Sequence, residues 1–520
     1  MNTASPHRRP LPTIEAAKRA FSGGDLAATE LICAQILARD ANDWTAWSLL
    51  AETALQRGRP DAAIVCAERA TALSNGRPLP VILRAKCLFL TGNVRGALEA
   101  AELAEAGVGT APEEIDALGA ILGLLGFHDR ARSLFLRAVA SRADTPQYLF
   151  NLAATERMTG ALEEAEAHCD AALDIDRRYG LAHYLRSDLR IQTADRNHVA
   201  EMEAVISEGK LSPQGEVMIR FALGKECDDL ELHERAFDHV DAGCRLQRRL
   251  MGESREGAAE IEQIIRSHPR NWIDAAPAGN FSTAPVFVTG LPRTGTTLVE
   301  RILSSHPAMS SVGETGAFAA ELRRVTGNGD ANCDPARLGQ NYLQAATALR
   351  PPPHGRFVDK TLENYLYCGL IHAALPAAKI ILVQRRPMDA CWAMYKALFH
   401  NKFAFSYDQI EVAEYYLAFR RLSEHWRIVL PKDALLEINY EDIVNDQAAA
   451  SRKMIDFVGL AWDDDVLRFN ESSVPSATAS AVQVRRPIYV SSVDKWRSYA
   501  ERLTAMQARL IRDIPEADLT

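Results

Sequence analysis

The first third of the chain is patterned by small residues rather than by large apolar ones. Glycines stand at Gly24, Gly58, Gly92, Gly126 and Gly160, each 34 residues from the next. Five residues after four of them comes an alanine: Ala63, Ala97, Ala131 and Ala165. Seven residues further on comes another: Ala70, Ala104, Ala138 and Ala172. Trp47 precedes Gly58 by eleven residues. A glycine permits a sharp turn between two helices, and alanines let the paired helices approach closely. Each period therefore reads as a helix–turn–helix unit. One such unit cannot bury its own apolar face, so the units must stack. The register then decays, because the next expected position is Ala194. Helical patterning continues out of phase through FALGKECDDLELHERAFDHVDAG (221–243).

A different pattern begins at residue 285. Val286-Phe287-Val288 is a short β-branched and apolar run that ends in Gly290. A polar turn follows, and then LVERIL at helical spacing. FVDK reads as a strand ending in Lys360, LENYLYCGLIHAAL as an amphipathic helix, and KIILVQ (379–384) as a buried strand that turns through Arg385-Arg386-Pro387 into a helix. LLEINYEDIV (435–444) reads as another strand leading into a helix. Strands alternating with helices predict a parallel sheet flanked by helices. The expected fold is thus multidomain, α plus α/β. Residues 1–12 form a flexible start and 13–194 a repeat solenoid. Degenerate or capping helices fill 195–267, a Pro/Gly-containing linker 268–285, and a P-loop-like α/β domain 286–520. The period and the small residues of 13–194 match the tetratricopeptide repeat.

Composition narrows the class without naming a function. The chain has 520 residues, 47% hydrophobic and 24% charged, which is ordinary for globular domains. A net charge of −9 argues against a nucleic-acid backbone as partner. The start, MNTASPHRRPLP, has no apolar signal-peptide core, and no run is long enough to span a membrane. The nine cysteines are scattered, and none forms CxxC. They read as reduced, mostly buried thiols of a cytoplasmic protein, with no metal site.

The candidate chemistry centres on VFVTGLPRTGTT (286–297). Strand, glycine-bounded loop and helix N-terminus together form an anion cradle of backbone N–H groups. Gly290 and Gly295 keep the spacing of GxxxxGK[ST], but Thr296 stands where a nucleotide triphosphatase has its lysine. The cation lies inside the loop, as Arg293. That suits a nucleotide phosphate that needs no magnesium-bound γ-phosphate. Glu314, 21 residues beyond Arg293, is positioned to act as a base on a hydroxyl. Arg385 and Arg386 follow a strand, where open α/β sheets bind ligands, and paired arginines fit a second phosphate. Segment 477–499 is polar and aromatic and carries Arg485-Arg486.

Taken together, these segments resemble the sulfotransferase family that uses 3′-phosphoadenosine 5′-phosphosulfate (PAPS). The branch is the bacterial tetratricopeptide-fused type, similar to tyrosylprotein sulfotransferases. The resemblance covers roughly 285–500 and implies transfer of a sulfuryl group to an acceptor hydroxyl, with a protein tyrosine or a glycan among the candidates. It implies that Arg293, Thr294, Gly295, Thr296 and Thr297 hold the phosphosulfate, that Glu314 is the general base, and that Lys360 stabilises the leaving group. It also implies nucleotide contacts from Arg385, Tyr440, Ser480 and Arg486. No metal is implied. The repeats would offer a surface for a protein or glycan acceptor, or else serve as scaffold. Two rival readings are a P-loop phosphotransferase and a repeat adaptor with a degenerate nucleotide-binding domain. Three positions depart from the family pattern. Ala393 replaces a serine eight residues after Arg385, Arg386 replaces an aspartate, and Gly316 replaces an arginine tied to acceptor recognition.

Overall fold

The computed structural model describes residues 12–252, 257–277, 279–326, 334–349, 351–353, 355–471, 488 and 492–519. It divides into two compact units, with the division between Ala143 and Asp144.

The first unit consists of antiparallel helix pairs: Ile14–Ser22 with Leu26–Leu37, Trp44–Gln56 with Pro60–Leu73, Pro78–Leu90 with Val94–Gly107, and Pro112–Leu124 with His128–Ser141. The periodic glycines are the turns. Gly24, Gly58, Gly92 and Gly126 all have left-handed backbone, with φ between +66° and +82°. That region costs a residue with a Cβ about 1–2 kcal/mol. Pro78 and Pro112 open the first helix of their pairs, where a fixed φ helps and the missing N–H is no loss. The periodic alanines are the contact points: Ala63, Ala70, Ala97, Ala131 and Ala138 are completely buried.

The second unit opens with one more such pair, Pro146–Thr159 and Leu162–Ile175, turned by Gly160 at φ +95°. Gly180–Asp188 and Val199–Ser207 follow, and then two long helices, Pro213–Asp229 and His233–Met251. The α/β part has five strands: β1 (Pro285–Gly290), β2 (Ser310–Gly313), β3 (Phe357–Asp359), β4 (Lys379–Gln384) and β5 (Leu435–Asn439). Their order is β2-β3-β1-β4-β5, and every pairing is parallel. Buried on both faces, such strands need continuous apolar runs. β1 supplies one: Val286 and Val288 pack with Val299, Ile302, Ile381 and Met454 on one face, and Phe287 joins the core on the other.

That second core does not stop at the α/β part. Val217, Phe221 and Phe237 of the long helices belong to the same apolar cluster as Phe287, Leu382 and Trp392. The segment read as a linker, 268–285, contains a helix (Arg270–Ala275) with Ile273 buried. Its Asn280 N–H donates to the Ala374 carbonyl at 2.8 Å. Its Pro, Gly and Asn residues signal turns, but the apolar residues among them had partners that local pattern cannot reveal. The helix expected after Lys360 is also divided, into a 3₁₀ stretch (Leu362–Tyr367) and an α-helix (Cys368–Ala374). The eight described cysteines are free, and seven of them are buried. Burial pushes the Cys33 and Cys87 thiols up to about 11.

A prediction follows for the repeat turns. At Gly58, where φ is +66°, a Cβ would meet nothing within 4 Å, so the cost of a side chain there is backbone strain alone. Gly58→Ala should lower stability by about 1 kcal/mol, while Gly58→Asn, which tolerates left-handed backbone, should cost less. Urea midpoints followed by circular dichroism would decide it, and equal losses in the two variants would contradict the strain argument.

Candidate active site

The site gathers at the carboxyl ends of β1, β3 and β4. After β1 the chain turns through Leu291–Gly295 into the helix Thr296–Ser304. The turn is too tight for side chains at either glycine. A Cβ on Gly290 would lie 2.5 Å from the Val383 carbonyl oxygen, and one on Gly295 would lie 2.6 Å from Cδ2 of Tyr440. Gly295 has φ +102°, and Arg293 is itself left-handed at φ +66°. A non-glycine residue in that region is a local strain of the kind that gathers at binding loops. The Thr294 hydroxyl donates to the Leu291 carbonyl at 2.7 Å and closes the loop. The helix that follows has no side-chain cap at Gly295. An uncapped helix N-terminus presents N–H groups and a positive dipole end to an anion. Thr296 and Thr297 occupy its first turn, both buried.

On the β3 side, Lys360 follows the last strand residue, and its N–H donates to the Gly313 carbonyl of β2 at 3.0 Å. Its side chain is 1% exposed. The ammonium pairs with Glu314 and lies 3.7 Å from Glu300 of the loop helix. Ser311 donates its hydroxyl to Glu300 as well. A buried ammonium needs such partners, since an isolated one would lose its charge. Glu314, by contrast, is 46% exposed, so its carboxylate touches both the buried lysine and solvent. Just beneath, Asp359 is fully enclosed and accepts from Tyr342 at 2.9 Å, Thr315 at 3.1 Å and Thr361 at 2.6 Å. Burial pushes its carboxyl above the usual range, opposed by those donors. The Thr361 hydroxyl in turn accepts from the Gly316 N–H at 3.2 Å. The backbone that carries Glu314 is thereby tied to the end of β3.

On the β4 side, Arg385 is the hub. Its guanidinium donates to the Arg293 carbonyl at 3.0 Å and to the Ser492 carbonyl at 2.6 Å. It lies 4.7 Å from the centre of the Tyr440 ring, while its Nε is buried with no hydrogen-bond partner among the described residues. Tyr440, at the end of β5, bonds the Ser492 hydroxyl at 2.7 Å and packs over Gly295. The Tyr416 hydroxyl donates to the Arg385 carbonyl at 2.9 Å. The neighbouring Arg386 gives its N–H to Glu441 at 3.0 Å, and its guanidinium lies 3.9 Å from Asp494.

Of the residues named from sequence, Arg293 and Arg385 touch, Gly295 and Tyr440 touch, and Glu314 and Lys360 touch. Thr294, Thr296 and Thr297 line the loop and helix between these groups. Ser480 and Arg486 lie outside the described residues. Ala393 is buried in the helix Pro387–Tyr395. Sequence reasoning passed over Glu300, Asp359 and Ser492. Glu300 sits inside LVERIL and Asp359 inside FVDK, where each reads as part of an ordinary helix or strand. Only their partners in space, Lys360 for Glu300 and three hydroxyls for Asp359, would have marked them.

A five-stranded parallel sheet with a glycine-bounded loop after its central strand, preceded in the chain by helical repeats, defines an α/β domain that follows a repeat array. Residues 285–464 match the sulfotransferase family, and residues 123–180 match the tetratricopeptide repeat. The chain therefore carries a segment that matches the sulfotransferase family, preceded by one that matches the tetratricopeptide repeat. It is 28% identical over 332 residues to an uncharacterized protein of Aquifex aeolicus, covering 60% of this chain and 43% of that one. It is 23% identical over 236 residues to protein-tyrosine sulfotransferase 1 of Danio rerio, covering 41% of this chain and 65% of the relative. The chain spans less than two thirds of the length of these curated relatives. Among solved structures it is similar to the sulfotransferase domain of the Synechococcus PCC 7002 olefin synthase, with a TM-score of 0.32 and 18% identity over 43% of this chain and 90% of that one. A tetratricopeptide repeat protein of Parabacteroides merdae aligns with a TM-score of 0.33 and 16% identity, covering 45% and 91%.

The contact between Gly295 and Tyr440 can be tested directly. Gly295→Ala should destabilise the protein by roughly 1–3 kcal/mol, from backbone strain plus collision with the ring. Tyr440→Ala should relieve the collision, so the double variant should lose less than the two single losses added together. Strict additivity in urea denaturation would mean that the two residues do not press on each other.

Proposed function

We propose that this chain transfers the sulfuryl group of PAPS to an acceptor hydroxyl. The observation that carries the reading is the pairing of a buried ammonium, Lys360, with a half-exposed carboxylate, Glu314, beside an uncapped anion loop. When bound, PAPS supplies a sulfuryl group on a good leaving group, the adenosine 3′,5′-bisphosphate. The residues fit such a donor. The loop offers N–H groups and Arg293, and the buried Nε of Arg385 is a donor without a partner among the described residues. In this reading Arg293, Thr294, Gly295, Thr296 and Thr297 hold the phosphosulfate. Arg385 and Tyr440 hold the nucleotide, with Ser480 and Arg486 assigned to the same task. Lys360 neutralises charge that grows on the leaving phosphate oxygen. Glu314 takes the proton of the acceptor hydroxyl. Both roles are served without a metal ion.

The acceptor is a protein tyrosine or another exposed hydroxyl that the repeats help to select. The tyrosine reading draws on the similarity to the protein-tyrosine sulfotransferase of Danio rerio. Gly316 bears on it, because this residue has φ +59°, a conformation that suits glycine and strains an arginine. Acceptor recognition at that point must therefore use other groups. A cytoplasmic location accords with the nucleotide donor and with the free cysteines.

The decisive assay incubates the full chain with labelled PAPS and either a small phenol or a tyrosine peptide. Label should move to at least one of them, and failure with every hydroxyl acceptor offered would reject the reading. Glu314→Gln should lower turnover by about a hundredfold or more while nucleotide affinity is kept. Wild-type turnover in that variant would remove Glu314 from the mechanism. Arg293→Ala should weaken donor binding by roughly 1.5–3 kcal/mol, the value of a charge-assisted contact. Calorimetry with adenosine 3′,5′-bisphosphate reads that loss.

A further inference from the structure

Asp228 stands near the end of the helix Pro213–Asp229, well before the segment that matches the sulfotransferase family. Its carboxylate nevertheless collects three partners from beyond that point in the chain. Lys396 approaches Oδ2 at 3.0 Å, Lys495 approaches Oδ1 at 3.1 Å, and the Tyr499 hydroxyl donates to Oδ1 at 2.5 Å. Burial pushes the carboxyl up, but Lys396, the Tyr499 hydroxyl and Lys495 outweigh it and hold Asp228 well below the usual carboxylate range. The group is an anion at any physiological pH.

These partners lead straight to the phosphate-binding arginine. Lys396 follows the helix Pro387–Tyr395, which starts directly after Arg385-Arg386. Lys495 and Tyr499 belong to the segment Ser492–Arg502. At its start, Ser492 accepts from Arg385 and bonds Tyr440. Next, the Asp494 N–H donates to Asp389 at 2.8 Å. At its far end, Arg502 pairs with Asp238 at 2.6 Å and with Glu234 at 2.5 Å, both on the helix His233–Met251. Tyr499 also packs on Trp392, with ring centres 4.3 Å apart. One stretch of about ten residues is thus fastened to the phosphate site at one end and to the two long helices at the other. Asp228, 17% exposed, is the more enclosed ionic fastening, whereas the carboxylates of the Arg502 pairs are exposed and screened by solvent.

We propose that Asp228 is a positioning residue for donor binding: it anchors Ser492–Tyr499 against Arg385 and Tyr440, and so lets the helices before the sheet set the affinity of the phosphate site. The proposal rests on the sulfotransferase reading above. It assigns to the helices 213–251 a part in the donor site, separate from any part the repeats play in choosing an acceptor.

The test uses the full chain and adenosine 3′,5′-bisphosphate as probe. Asp228→Asn keeps the shape and removes the charge, and Tyr499→Phe keeps the stacking and removes one hydrogen bond. Asp228→Asn should weaken bisphosphate binding roughly tenfold, the scale of one lost charge-assisted contact. It should raise the KM for PAPS by a similar factor and leave kcat little changed. Asp228→Glu should recover most of the loss, and Tyr499→Phe should shift affinity the same way by a smaller factor. A merely structural role would lower the melting temperature while the folded variants kept wild-type affinity and KM, and that result overturns the proposal. If Asp228→Asn does not fold, Tyr499→Phe and Lys495→Ala decide it, and unchanged affinity in both rejects the anchoring role. A wild-type chain that binds no bisphosphate would instead refute the sulfotransferase reading, which the variants do not test.

Discussion

The close approach of backbone to side chain around the loop after β1 is the constraint on which the site depends. Gly290 passes against the Val383 carbonyl and Gly295 passes under the Tyr440 ring, each too near for a Cβ. That closeness lets β4 and β5 hold the loop from one side. Arg385 can then reach the Arg293 carbonyl, and Tyr440 can cover the helix start. A looser loop would still turn, but its N–H groups would no longer be held in one arrangement. Catalytic charge stabilisation relies on donors fixed in advance, because reorganising them during reaction costs what they would otherwise contribute.

The two sides of the site are built in different ways. On the β3 side, charge is concentrated and enclosed: Lys360 is buried against two carboxylates, Glu300 and Glu314. Only one of the two, Glu314, reaches solvent. That asymmetry separates a carboxylate that only supports the lysine from one that also meets solvent. On the β4 side, recognition is geometric. A planar guanidinium is held flat by an aromatic ring and by two backbone carbonyls, a task that lysine could not perform.

The helices ahead of the sheet share a core with it. Phe221 and Phe237 belong to one apolar cluster with Phe287 and Trp392, and Cys244 and Gln247 reach the carbonyls of Tyr395 and His400. Separating them would expose this apolar surface. A division of labour in which helices recognise and the α/β part reacts is therefore too simple for residues 213–275. Those helices are structural members of the unit that holds the site.

Much of this was legible in the chain. The 34-residue glycine period determined the helix pairs, because only a left-handed turn residue recurs for that reason, and φ is positive at every one of those glycines. The apolar run of β1, the loop glycines and the strand ends at Lys360 and Arg385 were equally readable, since backbone conformation and strand hydrophobicity are local properties. Tertiary structure alone decided which of those residues meet. Glu300 facing Lys360, Ser492 bridging Arg385 and Tyr440, and Asp228 gathering Lys396, Lys495 and Tyr499 join positions that lie far apart in the chain. No periodicity encodes such pairs, because each partner taken alone is an ordinary polar residue on a helix or a turn. It also decided that 268–285 packs rather than links, for the burial of Ile273 depends on a surface built more than a hundred residues later by Trp426 and its helix.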